Sequence, residues 1–291
     1  MQIICRFRHL RNITFGSRQA FVRFFFETAQ GANMDQVTSA FNFGVSAPVS
    51  TKPLLLCFSH LRWDFVFQRP QQLMSRLAEH FRILFWQEPV PGERQGLERQ
   101  RLDACDVEVV TPIIGPGGPC DVAVRSLLDE LLAETGQPEV RWYYTPMMLG
   151  FSRHLQAACT VYDCMDELAN FKFAPPELVK REHELLEAAD LVFTGGYSLF
   201  EAKRDLHAQV FPFPSSVDKA HFAKARAQAG EPAERPLLGF FGVIDERMDI
   251  DLVDALCAAR PGWDIELIGP VVKIDPESLP RRPNLRLPHP C

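Results

Sequence analysis

The sequence predicts an α/β fold built on a doubly wound parallel sheet, and three observations carry the prediction. Short apolar runs alternate along the chain with longer amphipathic stretches, the pattern of strands joined by right-handed helical crossovers. The first run, Leu54 to Phe58, has no polar face, as expected of a central strand covered on both sides. Beyond it an aromatic and charged loop, His60 to Arg69, leads into a helix opening at Pro70, where a proline's missing N–H costs nothing. In open α/β sheets ligands sit beyond the carboxyl ends of strands, which makes that loop the first place to look for a site. It contains no glycine, so the Gly-x-Gly-x-x-Gly turn of an NAD or FAD enzyme is missing.

The elements follow in order. Leu73, Met74, Leu77 and Ala78 give the first helix its apolar stripe, and 82–86 is the second strand. Residues 88–104, rich in Pro, Gly and charge, read as a surface loop before a strand at 107–110. A helix at 121–134 turns Val124, Leu127, Leu128, Leu131 and Leu132 inward, and a strand follows at 140–144. A helix over 148–157 precedes the strand 160–162. The Pro175-Pro176 pair opens a helix to about residue 189, with Leu178, Val179, Leu185 and Leu186 on one stripe. Then come a strand at 191–194, the Gly195-Gly196 turn, a helix at 197–206 and a strand at 210–213.

Residues 53–216 thus form one complete Rossmann-like domain, and the polar, proline-bounded stretch 217–236 reads as a linker. A second unit begins with a strand at 237–241, a helix at 249–259 facing Leu252, Val253, Leu256 and Cys257 inward, and a strand at 265–268. Two strands and one helix do not bury a parallel sheet, so residues 237–291 read as the first βαβ element of a truncated domain. Residues 1–52, where Arg6, Arg8, Arg11, Arg18 and Arg23 are interleaved with phenylalanines, read as a disordered extension or one begun upstream of a true start at Met34. An Arg-rich, acid-poor start is also what an organelle transit peptide shows.

At 291 residues and 46% hydrophobic the chain has the composition of an ordinary globular protein. Its net charge of −6 gives nucleic acid no basic surface. No stretch approaches the roughly 18 apolar residues needed to span a bilayer, which leaves at most peripheral membrane contact. The eight cysteines lack zinc-site spacing, so we expect reduced, mostly buried thiols, a cytoplasmic location and no metal or cofactor.

Five stretches, LRWDFVFQRPQQLMSRLA, VYDCMDEL, ADLVFTGGYSL, FPFPSSVD and GFFGVIDERMDIDLV, resemble in this order bacterial group-1 glycosyltransferases of the family-4 kind, over residues 53–284. The resemblance implies the GT-B architecture: two Rossmann-like domains across a cleft, a saccharide or glycolipid acceptor on the N-terminal one and a UDP- or GDP-type nucleotide-sugar donor on the C-terminal one. It further implies metal-free transfer with retention, in surface polysaccharide or glycolipid assembly, the leaving diphosphate helping to deprotonate the acceptor. The family's Glu-x7-Glu pattern, which holds the donor sugar and ribose, does not occur in 237–291, and LRLPHPC replaces the strand, glycine and aromatic residues expected after Asn284. A chain lacking that pair is expected not to turn over. The alternatives are a GT-B nucleotide-sugar 2-epimerase and a non-catalytic scaffold.

The residues that carry chemistry sit where these strands end. A departing diphosphate needs cations and helix N-termini aimed at it, and Gly242 and Arg247, before the helix at 249, are the candidates. Val243 stands where the family pattern has a first Arg. The opposing reading pairs Arg247 with Asp245 or Glu246 at the surface. Gln68 and Arg69 stand where the family often has a glycine pair, so side chains would make the donor contact, with Trp63 and Phe65 as a stacking wall or else as a lid on the core. Asp163, Asp166 and Glu167 crowd one strand end, either orienting and deprotonating the acceptor hydroxyl or capping a helix. Gly195 permits close backbone approach between the domains or simply makes a tight turn. His60 and Lys273 read first as structural and solvated residues.

Overall fold

The computed structural model describes residues 52–116, 120–227, 230 and 234–287. The expectations for the N-terminal extension up to Thr51, and for the last four residues, lie outside them. The chain divides into two compact units between Ser215 and Ser216.

Unit 1 is a mostly parallel sheet with helices on both faces. Its elements are β1 (Leu54–Phe58), α1 (Arg69–Leu77), β2 (Arg82–Trp86), β3 (Val90–Pro91), β4 (Gly96–Arg101), β5 (Val107–Ile114), α2 (Asp121–Thr135), β6 (Val140–Tyr143), α3 (Leu149–Ser152), β7 (Cys159–Cys164), α4 (Leu178–Ala188), β8 (Leu191–Thr194), α5 (Tyr197–Lys203) and β9 (Val210–Pro212). The strands lie in the order β3-β5-β2-β1-β6-β7-β8-β9, with β4 antiparallel on β5. From β5 to β9 every neighbouring pair is parallel. The order runs down to β1 and then climbs, so the switch point falls between β1 and β6.

All five residues of β1 are buried. Leu54, Leu56 and Phe58 face the core built with α2, α3 and α4, while Leu55 and Cys57 face the one built with α1. This alternation explains why the run carries no polar residue. Helix α2 buries the five apolar residues its spacing predicted.

Several elements depart from expectation. The stretch read as a surface loop contains β3 and β4, and the latter, GLERQR, is a solvent-facing edge strand. Its polarity follows from pairing on one side only, with Arg99 reaching Glu108 and Glu134. β5 runs on through Pro112 to Ile114. The helix expected over 148–157 is a 3₁₀ turn, Pro146–Met148, followed by the single turn of α3. On α4 the buried face is Leu178, Glu182, Leu185 and Leu186, and Val179 is 51% exposed.

Unit 2 comprises α6 (Lys219–Ala227), β10 (Leu237–Phe241), α7 (Ile250–Ala259), β11 (Asp264–Ile268) and β12 (Leu285–Arg286). The stretch read as a linker therefore carries a helix, and a third strand follows the βαβ element. The sheet is parallel, ordered β10-β11-β12. Its core is small: Ile244, Leu267 and Leu279 with partly buried neighbours, among them Ile250 and Val253. Of the four α7 residues expected inward only Cys257 is buried, and Leu252 is 62% exposed. Asn284 donates to the carbonyls of Cys257, Arg260 and Trp263, tying the end of α7 to the start of β12.

Candidate functional site

The loop after β1 reaches the carboxyl edge of the sheet at the switch point and is held from beneath by two glutamines. Ser59 donates its N–H to the Trp86 carbonyl, and Tyr144 donates to that of Phe58, so the ends of β1, β2 and β6 are laced together. Gln71, fully buried on α1, donates through Nε2 to the carbonyls of Arg62, Trp63 and Val66 at 3.0–3.1 Å and accepts from the Gln68 N–H at 3.2 Å. Gln87, one residue past β2, accepts from the Trp63 N–H at 2.6 Å and donates to Thr111 at 2.7 Å. Three loop carbonyls that water would otherwise satisfy thus end on one side chain, which fixes the loop's shape.

Trp63 turns its ring edge-on to Phe85, with centroids 4.9 Å apart, and packs on the α1-side core. It is a lid on that core. Phe65 and Phe67 stand out into solvent.

Arg69, expected as a donor-contacting side chain, lies inside unit 1. Only 7% exposed, it donates through Nε to both oxygens of Asp163 at 2.9 and 3.1 Å, and Nη2 lies 2.8 Å from Oδ1. Its Nη1 donates to the Phe213 carbonyl at 2.7 Å, and the guanidinium lies over the Phe213 ring. One side chain therefore joins α1 to the ends of β7 and β9. Asp163 is fully buried and occupied by this pair, so it caps no helix; the turn that follows, Leu168–Asn170, is 3₁₀. Burial pushes the Asp163 carboxyl up from its ordinary value, and Arg69 pulls it back without cancelling the shift. Burial opposes the Arg69 charge as well, yet the carboxylate outweighs it and the guanidinium stays protonated. The Tyr144 phenol and the Cys57 thiol, buried beside this carboxylate, are both pushed well above their usual values, chiefly by burial.

Beyond Asp163, Asp166 and Glu167 are half-buried in the loop after β7. Glu167 is held by Lys203 of α5 at 3.0 Å, and the same ammonium meets Glu182 of α4 at 2.8 Å. Tyr162 donates to Glu182 at 2.8 Å. Burial works against the Lys203 charge, but the two glutamates outweigh it and raise its pKa. Burial pushes the neighbouring Cys164 thiol up to about 12. Gly195 ends β8 against this loop: a Cβ there would lie 2.7 Å from the Met165 carbonyl oxygen and 3.0 Å from its Cα. Glycine at 195 thus serves a close approach within unit 1.

In unit 2 the loops after β10 and β11 close on each other. Gly242 and Gly269 sit at φ +147° and +149°, and a Cβ on Gly269 would fall 1.8 Å from the Gly242 carbonyl oxygen. Ile244 bridges Val271, and Val272 donates to the Ile244 carbonyl. Arg247 is clamped on Asp245 through Nε and Nη2 at 2.7–3.1 Å, with its side chain 57% exposed. Hydrogen bonds from Arg247 hold the Asp245 carboxyl below its ordinary value. Asp249 caps α7 by accepting from the Leu252 N–H. Lys273, at φ +60°, meets Glu246 at 3.6 Å. Among the described residues no cluster of His, Cys, Asp or Glu is arranged to hold a metal ion.

The structure thus brings Arg69 and Asp163 into contact and places Trp63, Gln68, Asp166, Glu167 and Gly195 on loops at the carboxyl edge of one sheet. It places Gly242 and Arg247 at the corresponding edge of the other. Sequence reasoning missed Gln71, Gln87, Tyr144 and Lys203. Gln71, the third residue after Gln68 at a helix start, carried a readable capping signal; the others depended on tertiary neighbours.

No protein-family model matches the chain, and no curated protein matches it by sequence. Among solved structures it is similar to the trehalose-6-phosphate synthase OtsA, at 12% identity and a TM-score of 0.52, covering 75% of this chain and 65% of that one. An E. coli trehalose-6-phosphate structure bound with UDP-2-fluoro glucose matches at 14% identity and a TM-score of 0.50, again over 75% and 65%. The UDP-forming α,α-trehalose-phosphate synthase from Burkholderia xenovorans, in complex with glucose-6-phosphate, matches at 12% and 0.50, over 77% and 67%. The chain therefore spans about two thirds of the length of these structures. They are GT-B glycosyltransferases, and the α/β fold of this chain is the GT-B fold they share.

Proposed function

We propose that the chain belongs to a glycosyltransferase that moves a sugar from a nucleoside-diphosphate donor to a saccharide or glycolipid acceptor, with retention at the anomeric carbon. One observation carries the reading: the polar candidates of both units fall at the carboxyl ends of parallel strands, in a fold that a UDP-sugar-bound structure shares. In this reading Gly242, Arg247 and the N-terminus of α7 receive the donor diphosphate, where negative charge grows as the sugar departs. Asp166 and Glu167 orient the acceptor hydroxyl, with Lys203 keeping Glu167 in place. Asp163, sealed under Arg69, is a positioning residue that sets where the loop after β7 begins.

No two glutamates stand eight positions apart within 237–287, so nucleotide binding is a more direct test than turnover. Calorimetric titration of the chain with UDP-, GDP- and ADP-glucose should show saturable binding of one of them, weakened about tenfold in Arg247→Ala, a loss of roughly 1.4 kcal/mol. Absence of heat with all three would favour a scaffold. Conversion of a bound nucleotide sugar without an added acceptor would favour an epimerase.

A further inference from the structure

The loops after β10 and β11 stay zipped beyond the ends of their strands. Gly242 donates to the Ile268 carbonyl, Ile244 to that of Pro270 and Val272 to that of Ile244, at 2.9–3.0 Å. This register carries Lys273 to the side of the Asp245–Arg247 clamp, with Nζ 3.6 Å from Glu246 Oε1. Lys273 sits there at φ +60°, a left-handed conformation that is costly for a residue with a Cβ and persists where neighbours over-determine it, as at ligand sites. The four charges form two layers. The side chains of Asp245 and Glu246 are 5 and 18% exposed, whereas those of Arg247 and Lys273 are 57 and 41% exposed. Carboxylates lie inside and cations outside, so an approaching group meets positive charge first.

The geometry points to Lys273 as the second cation of the donor site, where it and Arg247 together take the two phosphates of a nucleoside diphosphate. The inference rests on the glycosyltransferase reading, and it supplies the positive charge that Val243 leaves missing from the family pattern. Two observations favour it over a purely structural ion pair. The Lys273–Glu246 distance is beyond hydrogen-bond length, and among the described residues neither Glu246 carboxylate oxygen has a hydrogen-bond donor. Glu246 thus draws the ammonium by charge without fixing it in one hydrogen-bonded geometry. The Asp245 carboxyl, in turn, is held below its ordinary value chiefly by hydrogen bonds from Arg247 and also by the Lys273 charge, so both cations lie within Coulombic reach of one carboxylate. Two cations that share one counter-charge are spaced for a ligand carrying negative charge on adjacent phosphates.

The test is calorimetric titration of the full chain with UDP-, GDP- and ADP-glucose, followed by titration of variants with whichever binds. Lys273→Ala should weaken that ligand about tenfold, as expected for losing one charged phosphate contact. Lys273→Arg, which keeps the charge, should retain most of the affinity. Glu246→Gln separates the two roles: with the competing carboxylate gone, Lys273 turns to phosphate and binding tightens, whereas a structural pair would lose binding when either partner is changed. Trp263 fluorescence in urea would show that each variant keeps unit 2 folded. No heat from the parent with any of the three would overturn the glycosyltransferase reading and this inference with it. Saturable binding by the parent, with Lys273→Ala binding equally well or Glu246→Gln binding more weakly, would overturn the inference alone.

Discussion

Removing one partner of the Arg69–Asp163 pair should be among the most damaging single changes in unit 1. Asp163 is fully buried and Arg69 nearly so, and three nitrogen–oxygen distances of 2.8–3.1 Å join them. Such a pair adds little net stability over a well-packed apolar pair, because both charges have left water. Breaking it is different, since the survivor is stranded without a solvent shell. Asp163→Asn should cost about 3–5 kcal/mol, a fall in melting temperature of about 6–20 °C for a unit of this size. Tryptophan fluorescence in urea isolates the effect, because Trp63, Trp86 and Trp142 all lie in unit 1 and only Trp263 in unit 2. Arg69→Met leaves the carboxylate facing burial unopposed, so its folded pKa rises further above the unfolded value. For a raised carboxyl, stability is fully present below the unfolded pKa and is lost as pH rises through the folded one. The Arg69→Met chain should accordingly be least stable near neutrality and recover toward pH 4. Arg69→Met with Asp163→Leu should regain much of the loss, with a coupling of about 2–3 kcal/mol. A cost below about 1 kcal/mol for Asp163→Asn, or an Arg69→Met chain with no pH trend of its own, would refute this reasoning.

Two other changes report on the loops. Gly195→Ala forces a Cβ against the Met165 backbone, so it should cost about 1–3 kcal/mol and speed amide exchange over 165–170; an unperturbed exchange profile would show that the approach relaxes freely. Asp245 has a depressed folded pKa, so its contribution is present above the unfolded value and is lost as pH falls through the folded one. Unit 2, followed by Trp263 fluorescence, should lose stability below about pH 4 in the parent, and that acid loss should shrink in Asp245→Asn.

What was legible in the sequence follows from where the physics is local. Strands β1, β2, β8 and β10 and helix α2 were readable because each is an uninterrupted apolar run or a clean helical stripe. Strand β4 was not, because an edge strand with solvent on its free side has the composition of a loop. Glu182 took the place expected of Val179 because Lys203 and Tyr162, far along the chain, made a buried carboxylate tolerable. Leu252 read as inward because apolar spacing reports which residues share a face and not whether anything covers that face. At the site, the loops at strand ends were legible as places, whereas Arg69 turning inward depended on Asp163, 94 positions later.

The central claim is that a nucleoside diphosphate binds at the carboxyl edge of β10 and β11. Hydrogen–deuterium exchange of the full chain with and without saturating UDP-, GDP- or ADP-glucose locates it directly. The account predicts that one of the three slows exchange over 242–250 and 269–273 and leaves the β4–β5 edge of unit 1 unchanged. Protection confined to unit 1, or none with any of the three, would contradict it.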